Sequence, residues 1–82
     1  MTPWPASLAR DVLTALLRTG WTSKRQTKSH QTLSRPGWPD VVFAFGDGDA
    51  IGPHLLARLG RRTNLHPDDL ERLGASGPAG FD

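Results

Sequence analysis

The chain has 82 residues, no cysteine and a formal net charge of +2 at neutral pH. A chain this short holds one domain with a small core, because only about 60% of the unfolded surface is buried at such a size. The lack of cysteine excludes a disulfide scaffold and a thiolate metal site and suits a reducing cytoplasm, and no leader-like run or window of about 20 apolar residues points to secretion or to a membrane span.

In chain order, Leu8, Val12, Leu13, Leu16 and Leu17 recur at helical spacing, so a first helix is expected from about Ser7 to Thr19, with Gly20 as its C-terminal cap. Trp21 to Gln26 alternates weakly and reads as a strand. "HQTLSR" from His30 reads as a short polar strand, and "VVFAF" from Val41 to Phe45 as a buried one. Pro36-Gly37 suits a type II turn between the last two, and Pro39 is expected to prevent further pairing. These strands form one antiparallel meander. A second helix opens at Gly52-Pro53, with Leu55, Leu56 and Leu59 toward the sheet despite Gly60. Asn64 can cap it in a left-handed conformation, and "HPDDLERLG" starts a short third helix with two aspartates in its first turn. The domain is expected to span residues 1–73, with 74–82 a flexible tail.

The charge is unevenly placed. From Arg18 to Arg35 the bases are Arg18, Lys24, Arg25, Lys28 and Arg35 with no acid, whereas from Asp40 onward four arginines face seven acids. Such a block is read either as a polyanion contact, where phosphates exchange counterions for side chains, or as solvated strand and turn residues. "GDGDAIG" at 46–52 mimics a phosphate loop, but its aspartates repel phosphate and no βαβ unit surrounds it. It also lacks the further ligands of a calcium loop, so a turn is expected. His30, His54 and His66 fall on different elements, which argues against a zinc site. No metal or cofactor is implied. Trp21 reads as core, since it follows the helix cap, while Trp38 is open between core and exposed stacking platform.

Within the basic block lies "RQTKSH", Arg25 to His30. With Leu16 to Gly20, Trp21, the strand "VVFAF" and the helix bearing Leu55 and Leu56, it resembles the HicA toxins of bacterial toxin-antitoxin pairs, over about Leu8 to Leu73. That family pattern is a helix ending in Leu-x-x-x-Gly plus an aromatic, then Arg-Gln-x-Gly-Ser-His, a strand and a helix. Here Arg25, Gln26, Ser29 and His30 match it. Lys28 stands where the pattern has glycine, and Phe43-Ala44-Phe45 where it often has Pro-x-His.

The resemblance implies an α+β fold like a double-stranded-RNA-binding domain: a three-stranded antiparallel sheet with two main helices on one face, in the order α-β-β-β-α, plus a short C-terminal helix. It implies a cytoplasmic endoribonuclease that cleaves mRNA, with His30 as catalytic base or acid. Lys24, Arg25, Lys28, Ser29 and Arg35 would bind RNA, and a HicB-like antitoxin would be the protein partner. The alternative is an RNA-binding module of the same fold without catalysis. The chemistry is economical, because RNA carries its own nucleophile in the 2′-hydroxyl. Cleavage needs a base for that proton, an acid for the leaving oxygen, and cations for the developing charge.

Overall fold

A computed structural model describes residues 4–27 and 30–76. The elements are β1 (Ser7–Leu8), α1 (Ala9–Arg18), β2 (Thr22–Gln26), β3 (Gln31–Arg35), β4 (Trp38–Phe43), β5 (Ala50–Ile51), α2 (Pro53–Thr63) and α3 (Pro67–Ser76). The architecture is α+β, with β2, β3 and β4 forming a three-stranded antiparallel sheet in that order. A separate ribbon pairs Ser7 with Ile51 and Leu8 with Ala50. Strands of two residues carry no readable period, so this ribbon was not expected from the sequence.

Helix α1 follows its apolar spacing. Ala9, Val12, Ala15 and Leu16 are buried, while Leu17, counted with the stripe in the sequence, is 46% exposed. The helix stops as expected. Gly20 takes φ +111°, a value that favours glycine. The Trp21 N–H donates to the Leu16 carbonyl at 3.1 Å and the Gly20 N–H to the Leu17 carbonyl at 3.4 Å, the two bonds of a Schellman motif. Its other end is capped from a distance. Leu8 offers no side-chain cap, and the free N–H groups of Ala9 and Arg10 donate instead to the carbonyls of Asp49 (2.8 Å) and Asp47 (3.3 Å). The "GDGD" loop is therefore a turn that closes the start of α1.

The β3–β4 hairpin turns at Pro36-Gly37, with φ +85° at Gly37 as a type II turn requires. Two details differ from expectation. Pro39 lies inside β4 rather than ending it, and the strand stops at Phe43 rather than Phe45. β4 is an edge strand, where a missing N–H can face away from the ladder. The β3–β4 register also shifts between Leu33 and Arg35, which accommodates the ring.

Helix α2 begins at Pro53 after the N-cap Gly52 and ends at Asn64 in the left-handed conformation, φ 61°. Leu56 is buried and Leu59 packs against the core, but Leu55, expected to face the sheet, is 44% exposed. Gly60 is explained by contact. A Cβ there would lie 2.7 Å from Trp4 Cζ2 and 2.8 Å from the Leu65 carbonyl oxygen, so only glycine admits the indole. At the start of α3 the Asp69 carboxylate accepts from the His66 N–H at 2.8 Å. The helix continues through Ser76, and the remainder of the expected tail, 77–82, lies outside the described residues.

One core joins these parts. Leu33 and Val41 are directly paired, and Phe43 follows two residues on, so all three project from one face of the sheet. They meet Val12 and Leu16 of α1, Leu56 of α2 and Leu70 of α3. Trp21 is buried as expected, and its Nε1–H donates to the Thr63 carbonyl at 3.1 Å. No helix among the described residues is long and apolar enough to cross a membrane.

Candidate functional site

The pleat of the sheet divides "RQTKSH" between two faces. Gln26 pairs with Gln31, and Gln31 with Phe43. Directly opposed residues share a face, so both glutamines project on the side of buried Phe43. Arg25 pairs with Thr32, and Thr32 with Val42, which is 60% exposed; these belong to the outer face, away from the helices. Between Ser23 and Arg25 the register shifts, leaving Lys24 as the extra residue of a bulge.

On the outer face Lys24, Arg25, Thr32 and Asp40 line a hollow of about 150 Å³. Lys24 Nζ is 3.0 Å from Asp40 Oδ2, an ion pair that reaches across the middle strand from one edge to the other. Both partners are well exposed, 61% and 44%, so it contributes under about 1 kcal/mol.

His30 lies at the other site. It is exposed and lines a cleft of about 280 Å³ with Gln26, Thr27, Gln31, Phe43, Phe45, Gly46 and Asp47. The hairpin holds its backbone: the Thr27 N–H donates to the His30 carbonyl at 2.8 Å and the Thr27 hydroxyl to the same oxygen at 3.3 Å. Across the cleft, the loop bearing Asp47 is pinned twice. The Asp49 N–H donates to the Gly46 carbonyl at 2.9 Å, and Asp49 Oδ2 accepts from the Gly46 N–H at 2.8 Å. The Phe43 and Phe45 rings meet edge to face, with centroids 5.2 Å apart.

The remaining cations of the basic block are dispersed. Arg35 is half-buried at the far end of β3 from His30, about 16 Å away at 3.3 Å per residue. Its guanidinium carbon sits 5.5 Å from the Trp38 ring centroid, and its Nε lies close to Gly20. Trp38 in turn meets Trp21 edge to face at 6.3 Å, so it is half-buried against the core, with Arg35 over its ring. Arg18 lines a groove between α1 and α3 with Asp69 and Arg72. Lys28 and Ser29 lie outside the described residues. His54 and His66 are exposed on α2 and just before α3, and no group of three or more His, Asp or Glu side chains among the described residues could hold a metal.

The geometry thus brings His30, Gln26 and Gln31 together with Phe45 and Asp47, and separates them from Lys24, Arg25 and Arg35. Gln31, Phe45 and Asp47 were not identified as site residues from the sequence. Strand alternation could have grouped Gln31 with Gln26, but nothing local marks Asp47, which reaches the cleft only because its loop folds back onto α1. Compared with family models, with curated proteins and with solved structures, the chain has no match.

Proposed function

We propose that this chain is a HicA-like toxin, an endonuclease that cleaves mRNA in the cytoplasm on a fold like a double-stranded-RNA-binding domain. The observation that carries the reading is His30: an exposed imidazole at the mouth of a cleft, held at the base of a hairpin whose neighbouring strand bears two exposed cations. The three-stranded sheet and the order of helices around it are compatible with the fold that the resemblance implies. In this reading the 2′-oxygen gives its proton to His30 and attacks the adjacent phosphorus, the P–O5′ bond breaks, and His30 returns the proton to the departing 5′-oxygen, leaving a 2′,3′-cyclic phosphate and a 5′-hydroxyl. A histidine suits that exchange because its ring can both accept and donate near neutral pH. Lys24 and Arg25 would hold flanking phosphates along the exposed edge of the sheet, and Lys28 and Ser29 are further RNA-binding residues in this reading. A HicB-like antitoxin would restrain the enzyme by covering His30 and the β2 cations, in competition with RNA.

A second reading, an RNA-binding module without catalysis, is favoured by one observation: the hollow holding Lys24 and Arg25 is on the opposite face of the sheet from the Gln26–Gln31 pair beside His30. The two are separated by purified wild-type chain and His30→Ala assayed on single-stranded RNA. The enzyme predicts a loss of at least about 100-fold in cleavage with unchanged circular dichroism. Undiminished cleavage by the variant rejects His30 as the catalytic group, and binding without cleavage by the wild type selects the module.

A further inference from the structure

The cleft beside His30 is chemically unlike a phosphate site. Among the described residues that line it there is no lysine or arginine, and one wall carries the Asp47 carboxylate. A carboxylate opposes a phosphate, so the phosphates of a bound strand belong outside the cleft, at its mouth beside His30 and on toward Lys24 and Arg25, and something neutral belongs inside it. The other walls describe that neutral group. Gln26 and Gln31 form a directly opposed pair whose amides each offer donors and an acceptor. Phe45 is half-buried, and its contact with Phe43 fixes the ring where it lines the cleft. Flat rings that stack on an aromatic side chain and present hydrogen-bonding edges to amides are nucleobases.

Asp47 adds selectivity. Its backbone is fixed, because its carbonyl accepts from the Arg10 N–H at the start of α1 and its loop is tied at Gly46 and Asp49. An ionised carboxylate only accepts hydrogen bonds. It therefore matches the amino groups of cytosine, adenine or guanine and opposes the two carbonyls of uracil. Resting on the RNA reading above, we propose that this cleft is a base-selecting subsite: it takes one unstacked, amino-bearing nucleobase of a single-stranded RNA, stacked on Phe45, read by Gln26 and Gln31, and discriminated by Asp47.

The test uses the full chain, ¹⁵N-labelled and observed by NMR, titrated with the four nucleosides, which carry no phosphate. Expected are saturable shifts of the Gln26 and Gln31 side-chain amides, with at least one amino-bearing nucleoside bound about tenfold more tightly than uridine. Asp47→Asn, whose carbonyl keeps its bond to α1, should abolish that preference while the spectrum keeps its dispersion. Absence of shifts at the cleft with all four nucleosides overturns the subsite. Binding without preference, or a preference unmoved in Asp47→Asn, overturns the assigned selectivity. A short RNA containing the preferred base should bind more tightly than its nucleoside; equal affinity would assign the cleft to free nucleosides and overturn the RNA subsite. Cleavage of the same RNA is scored separately, so a chain that binds the base yet cuts nothing rejects the ribonuclease while the subsite stands.

Discussion

The outer face of the sheet and the cleft at its end draw on adjacent residues of β2, yet they are made of different materials. The outer hollow holds two cations and a carboxylate on flat, solvated strand surface. The cleft holds amides, an aromatic ring, a histidine and an aspartate between a hairpin and a pinned loop. A stretch that looks like one cationic cluster around a histidine in the sequence is thus two surfaces, because alternate side chains leave a strand on opposite sides. A flexible strand of RNA could touch both, with its charge on one and its bases in the other.

That division can be broken most decisively by kinetics. His30→Ala should lower the cleavage rate at saturating RNA by at least about 100-fold, whereas Lys24→Ala or Arg25→Ala should leave that rate within about threefold and act on binding. Equal rate losses for the three variants would mean that the faces work as one site. Salt sharpens the contrast: each of the two outer-face substitutions should lower the slope of log affinity against log salt by about one, and Asp47→Asn should not lower it. Arg35→Ala should behave as neither. With its guanidinium over Trp38, it should cost about 1 kcal/mol of stability in urea unfolding and change RNA affinity little; an unchanged midpoint would return Arg35 to the RNA-binding cations. The smallest effect belongs to Asp40→Asn. Releasing Lys24 from its partner should raise RNA affinity a few-fold while shifting stability by less than about 1 kcal/mol. Affinity unchanged by the substitution would show that phosphate does not compete for Lys24.

Much of the frame was legible because local rules and the fold agree. The helical stripe, Gly20 and Asn64 as left-handed caps, Pro53 at the first turn of α2 and the Pro36-Gly37 turn each depend on a few neighbouring residues. Pro39 reads as a strand breaker in the sequence, yet it sits inside β4 because an edge strand tolerates a missing N–H. Spacing puts Leu17 in the apolar stripe of α1 and Leu55 toward the sheet, yet both are exposed, because spacing does not fix how wide a stripe the core covers. The site was less legible than the frame. His30 is marked by motif, whereas the pairing of Gln26 with Gln31, the bulge at Lys24, the stacking of Arg35 and the approach of Asp47 depend on strand register and on contacts between distant segments.

The cap on α1 has a consequence for the order of synthesis. A helix of ten residues is marginal on its own, and the carbonyls that close its first turn belong to residues 47 and 49. The helix made first is therefore completed late. The meander from Thr22 to Phe43 needs only short loops and can form as soon as it leaves the ribosome. Trp21, by contrast, waits for the Thr63 carbonyl. A chain interrupted before residue 47 would carry His30 beside half a cleft, because the wall that Phe45, Gly46 and Asp47 supply would be incomplete.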